Sequence, residues 1–180
     1  MTGGRNSFPT DAPPAAKRRR NAVWLALTLL WMALIFSKSS EPYAQQDMRP
    51  WLANVISEAK LKALLPNWSF TYDGQSVAHG HPYEMAEFFI RKAGHVAEYA
   101  LLAWLWMRTM RTWPAGRSRL QAAAIAAAIS IVYAASDEWH QTFVPGRTGH
   151  AVDVAVDAAG VAAAMLAEAA ASIVLKQKKK

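Results

Sequence analysis

The stretch Lys17-Arg18-Arg19-Arg20-Asn21-Ala22-Val23-Trp24-Leu25-Ala26-Leu27-Thr28-Leu29-Leu30-Trp31-Met32-Ala33-Leu34-Ile35-Phe36 decides the fold class. Four consecutive cations lead into fifteen residues, Ala22–Phe36, without a charge. A helix needs about 20 mostly apolar residues to cross a bilayer, and this run reaches that length by taking in its polar flanks, whose long basic side chains reach back to the interface. A secretory signal peptide has the same basic start and apolar core, but Ser37-Lys38-Ser39-Ser40-Glu41-Pro42 is a poor cleavage site, so the run is read as a retained span.

Three further apolar runs follow: Ala93–Met107, broken by His95 and Glu98; Leu120–Ala135, largely alanine; and Ala151–Leu175, holding Asp153, Asp157 and Glu168. The expected fold is an all-α integral membrane bundle of four transmembrane helices, with spans at about 22–40, 92–110, 119–136 and 151–175. The 180 residues are 53% hydrophobic and 18% charged, yet mean hydropathy is only +0.01, because charges and apolar runs are both clumped. That clumping excludes a soluble α/β enzyme and a disordered chain. The absence of cysteine excludes a disulfide framework and a thiolate metal site.

Charge placement orients the bundle. Lys and Arg concentrate on cytoplasmic flanks. With both termini in the cytoplasm, the stretches Lys17–Arg20, Arg108–Arg119 and Lys176–Lys180 gather twelve of the twenty basic residues inside, while eleven of the thirteen acidic residues fall outside. The formal charge of +7 therefore reflects topology, and no nucleic-acid partner is expected. Residues 1–21 read as a disordered basic tail, 22–175 as the membrane domain and 176–180 as a second basic tail. The long connection at 41–90 lies outside; Trp51, Leu52, Val55, Ile56 and Ala59 predict an amphipathic helix within it. In Phe70–Val77 a hairpin around Asp73-Gly74 competes with an irregular loop.

Polar residues accumulate where the outer ends of the spans converge. Lys92, His95, Glu98 and Tyr99 open the second span, Asp137, Glu138, His140 and Gln141 close the third, Arg147 lies in the loop, and Asp153 and Asp157 open the fourth. Spacings of three and four put Lys92, His95 and Tyr99 on one helix face and pair Asp137 with Gln141 and Asp153 with Asp157. Ionisable groups near a membrane face each other or a watery cavity, since exposure to lipid at mid-bilayer costs about 3 kcal/mol each. One cavity lined by His95, Asp137, Glu138, Arg147 and Asp153 is expected. Glu168, near the inner end, snorkels towards Lys176 or packs on another helix. The alanines of the third run, with Gly160 and Ala164 of the fourth, predict close packing of those two helices.

These stretches resemble the VanZ-like family of small bacterial membrane proteins. The resemblance is carried by Phe88-Phe89-Ile90-Arg91-Lys92-Ala93-Gly94-His95, by Glu98-Tyr99-Ala100-Leu101-Leu102, by Ser136–Arg147, and by Asp153, Asp157 and Gly160, with Ser37, Ser39 and Ser40 resembling a Ser-rich element. It covers about residues 22–170. His150 and Asp157 depart from the pattern, which favours a small polar residue and Asn there. The resemblance implies a multi-pass protein of the bacterial cell membrane and a link to resistance against the glycopeptide teicoplanin, with no settled chemistry.

Three functions are compatible with these residues. The favoured one is an outer-leaflet pocket that binds or modifies a cell-envelope lipid or lipid-linked cell-wall precursor, with Lys92, Tyr99, Gln141, Arg147 and Asp157 on the substrate. The second is an intramembrane hydrolase or transferase using His95, Glu98, Asp137, Glu138 and Asp153 as acid–base groups. A metal held by His95, His140, Asp137, Glu138 or Asp153 is chemically feasible, but no HExxH or similar spacing occurs, so no ligand set is assigned and the cofactor is left open. The third is a structural membrane interaction protein.

Overall fold

The computed structural model describes residues 15–113 and 117–177. Four long helices make the bundle: α1 (Ala15–Ser39), α5 (Pro82–Thr112), α6 (Arg119–Gln141) and α7 (Ala151–Gln177). The α1–α5 connection carries the short helices α2 (Tyr43–Gln46), α3 (Arg49–Val55) and α4 (Glu58–Leu64) and an antiparallel hairpin of β1 (Ser69–Tyr72) and β2 (Gln75–Ala78). The class is thus mostly helical with one two-stranded sheet.

Local chemistry sets the helix ends. Helix α1 holds no Gly or Pro and stops before Glu41-Pro42. It begins at Ala15, so Ala15–Asn21 are helical and not part of a structureless tail; residues 1–14 lie outside the described residues, as does the 178–180 part of the second tail. Helix α5 has Pro82 in its first turn and ends at Trp113, which turns extended ahead of Pro114. It begins ten residues before the predicted span, because Tyr83–Arg91 continue its 3.6-residue pattern against the connection. Helix α6 opens with a reciprocal capping box between Ser118 and Gln121 and runs on to Gln141, five residues past the predicted end. The hairpin turn places Asp73 and Gly74 at φ +46° and +79°, the positive-φ pair a tight turn needs.

Arg18–Ser39, Arg119–Gln141 and Ala151–Val174 are long and apolar enough to cross a membrane. Helix α5, with Lys92, His95 and Glu98 along its length, falls outside that group. It is nevertheless the hub: Tyr99, Leu102 and Ala103 of α5 pack with Ile35 of α1, Ala134 of α6 and Val161 of α7 in one buried cluster. Ala122, Ala126, Ser130 and Ala134, four apart, form the buried stripe of α6. The close helix approach is between α7 and α5: a Cβ at Gly160 would collide with the Val96 carbonyl. Helices α6 and α7 do pack together as expected, but Gly160 faces α5 and not α6. Polar side chains also join the helices. Thr28 and Thr109 hydroxyls share a buried hydrogen bond of 2.9 Å, Tyr133 Oη donates to Met32 O at 2.7 Å, and Trp31 Nε1 donates to Glu98 O at 3.0 Å.

The connection folds back on the start of α5. Leu52 of α3 and Leu61 of α4 bury against Ala86, with Ile56 and Tyr83 around them. The single amphipathic helix expected there is two helices, broken at Ile56-Ser57, where the backbone is extended. Leu52 and Ile56 face the bundle, while Trp51, Val55, Leu64 and Trp68 remain exposed.

Candidate functional site

At the bundle end that carries the connection, a cleft of about 400 Å³ opens between α5, the hairpin, the α1–α3 segment and the α6–α7 loop. A smaller cavity of about 40 Å³ lies between α1, α5 and α6. Arg91, Gln141 and Arg147 line both. The single cavity expected for His95, Asp137, Glu138, Arg147 and Asp153 is therefore two spaces with a shared wall. Asp153 lines the larger, His95 and Asp137 the smaller, and Arg147 both, while Glu138 lines neither. The cause is Arg147, whose side chain crosses between α6 and the connection. Its Nη2 donates to Gln141 Oε1 at 2.7 Å and its Nη1 to Gln46 Oε1 at 2.9 Å.

The acidic residues are buried behind this wall. Gln141 Nε2 donates to Asp137 Oδ2 at 3.1 Å and Glu138 Oε1 at 3.4 Å, and the His150 backbone N–H donates to Glu138 Oε2 at 2.9 Å. Gly149 permits that approach, since a Cβ there would run into the Glu138 backbone. His95 Nδ1 lies 3.0 Å from Asp157 Oδ1. Asp153 pairs with the Lys92 ammonium and accepts from the Tyr72 hydroxyl. Lys92 also sits 4.4 Å from the centroid of the Tyr72 ring, a cation–π contact. Burial first, then the bond to Asp153, raises the Tyr72 pKa well above its ordinary value, so Tyr72 stays a donor.

The sequence-predicted residues thus separate. His95, Asp137, Glu138, Gln141, Asp153 and Asp157 converge, with Lys92 and Arg147 at the edge. Glu98 pairs instead with Lys38 of α1, at the smaller cavity. Tyr99 lines neither space: it is fully buried in the apolar core, and its hydroxyl has no partner among the described residues. His140 stacks on Phe36 at 4.5 Å and is not among the converging groups. Glu168 joins Arg108 and Arg111 of α5, the packed alternative of the two expected for it.

Sequence reasoning passed over several residues that shape the cleft. Arg91 makes no ion pair among the described residues, its Nη1 is buried without a partner, and its guanidinium lies 5.2 Å from the Tyr43 ring centroid. Tyr43 Oη donates to the buried carboxylate of Glu87 at 3.1 Å; burial and that carboxylate raise the Tyr43 pKa. Arg49 pairs with Asp47 at 2.8 Å and lies 3.6 Å from Glu87. That guanidinium holds the Asp47 carboxyl at about 2. His150 pairs with Asp73 of the hairpin turn. Arg91 alone was within reach of sequence, since it stands four residues before His95 and so shares its helix face. The others depend on contacts made only by the folded connection. Arg147, outside the helices, has its pKa lowered by burial and by the nearby Arg91 cation.

Long apolar helices closed at one end by a polar chamber define a multi-pass membrane protein. The chain matches the VanZ/LLP1 family model over residues 24–171, and it belongs to that family. No curated protein and no solved structure matches it.

Proposed function

We propose that the protein binds the anionic head group of a cell-envelope lipid or lipid-linked cell-wall precursor in the outer leaflet of a bacterial cell membrane. One observation carries this reading: Arg91 and Arg147 both line the cleft and neither is ion-paired with a carboxylate among the described residues. Lys92 is engaged by Asp153 and Arg49, which also lines the cleft, by Asp47, so Arg91 and Arg147 are the cleft guanidiniums left for a ligand. A guanidinium fork matches a phosphate oxygen pair. The reading takes α5 as a fourth span and both termini as cytoplasmic, which the basic flanks support. Trp51, Val55, Leu64 and Trp68 then seat the connection in the outer leaflet beside the cleft. Teicoplanin resistance is an expected phenotype, because this drug acts on cell-wall precursors outside the membrane. The test is drug susceptibility at matched expression: Arg147→Lys and Arg91→Lys keep charge, lose the fork and should both abolish any protection the native protein gives.

A second reading, an acid–base hydrolase or transferase, is favoured by the His95–Asp157 pair at 3.0 Å. It requires that His95→Ala retain bound lipid and lose its turnover.

A further inference from the structure

We propose that His95, Glu138 and Asp157 form a site for a divalent metal ion of the Zn²⁺ class, at the junction of α5, α6 and α7. One ligand atom of each residue lies within 4.8 Å of the others. The three come from three different helices, so the bundle itself fixes their spacing. One imidazole and two carboxylates make a mixed N/O set, suited to Zn²⁺ and Mn²⁺ more than to Ca²⁺, which takes six to eight oxygens.

An independent observation points the same way. Asp157 is fully buried, and its Oδ2 has no hydrogen-bond partner among the described residues. Asp137, one turn from Gln141 and also buried, leaves Oδ1 without a partner. Among the described residues Glu138 accepts from the His150 N–H and the Gln141 amide alone. Among the described residues no Lys or Arg forms an ion pair with Asp137, Glu138 or Asp157; His95 is the single ionisable partner of Asp157, while Lys92 is taken by Asp153. Buried carboxylates without counter-charge are costly. A divalent cation supplies that charge and also occupies the orphaned oxygen. Three protein ligands leave a coordination position for water or an exogenous ligand. His95 lines the smaller cavity, which gives the ion a way in. This site is separate from the guanidinium pair of the head-group reading, and either can stand without the other.

The experiment uses the full-length protein in detergent, stripped with chelator and titrated with Zn²⁺, with Co²⁺ as a spectroscopic probe. One equivalent of Zn²⁺ should bind and raise the midpoint of thermal unfolding. Co²⁺ should give visible ligand-field bands, and X-ray absorption on the Zn²⁺ form should show a single imidazole. Asp157→Asn and His95→Ala should weaken Zn²⁺ at least tenfold, whereas Arg91→Ala should bind Zn²⁺ like the native protein while losing lipid. If a variant fails to fold, the native protein's Co²⁺ bands and imidazole count still decide. Sub-stoichiometric Zn²⁺, absent Co²⁺ bands, an oxygen-only shell, or native Zn²⁺ affinity in folded Asp157→Asn and His95→Ala would each overturn the proposal.

Discussion

Gly160 of α7 lies directly against the carbonyl of Val96 in α5, with no room for a Cβ between them. This backbone-to-backbone approach sets how near Asp157, one turn earlier on α7, comes to His95, one residue before Val96. Gly160→Ala is expected to push the helices apart at a cost of about 1–3 kcal/mol, as overpacking of a filled interior does. Gly160→Leu should prevent assembly of a folded protein. Thermal unfolding in detergent reads both; a Gly160→Ala variant as stable as the native chain would show that α5 and α7 adjust freely.

The Lys92–Asp153 pair is the second test. Both side chains are largely buried, and Tyr72 closes the pair from the hairpin. Lys92→Met leaves the Asp153 carboxylate unpaired and should cost about 3 kcal/mol. The double change Lys92→Met with Asp153→Asn should recover much of that loss. Additive losses in a double-mutant cycle would mean that the two residues do not interact.

Asp47 gives a pH prediction. The hydrogen bonds from Arg49 hold its folded-state pKa at about 2, below the ordinary 3.8. A depressed carboxylate pKa contributes stability that is present above about pH 4 and is lost as pH falls through about 2. The connection should therefore loosen between pH 4 and 2, seen as faster backbone amide exchange in α3. Asp47→Asn should remove that acid-dependent step, leaving exchange in α3 insensitive to pH over this window once intrinsic rates are corrected for.

Topology is testable because the sequence contains no cysteine. Cysteines introduced at Gln75 and Gln177 should react with an impermeant maleimide from outside and only after permeabilisation, respectively. External labelling at Gln177 in intact cells would place the end of α7 outside and overturn this orientation.

Legibility in the sequence followed the range of the interactions. Helices α1, α6 and α7 and the hairpin rest on local signals: apolar length, the Ser118 cap, and the positive φ that Asp73-Gly74 supplies. Helical spacing also brought His95, Asp137, Gln141, Asp153 and Asp157 to one end of the bundle. What stayed hidden is non-local. The helix face of Arg91 is legible from its spacing to His95, but its contact with Tyr43, forty-eight residues earlier, is not. Glu87 looks solvated until the connection lays Tyr43, Met48 and Arg49 over it. Tyr99 shares a helix face with Lys92 and His95, but that face turns from the chamber into the core along its length. The division into two spaces follows from Arg147 reaching Gln46, a contact across 101 residues that no spacing encodes.

Arg91 and Arg147 are proposed to hold an anionic lipid head group together, so each guanidinium should be needed to retain it. Native mass spectrometry of the protein released from mild detergent measures this directly, comparing the native chain with Arg91→Lys, Arg147→Lys and the double variant at equal folded yield. On this proposal a phosphate-bearing lipid is retained on the native chain, at least tenfold less of it on each single variant, and none on the double variant. Equal lipid occupancy across all four proteins would contradict it.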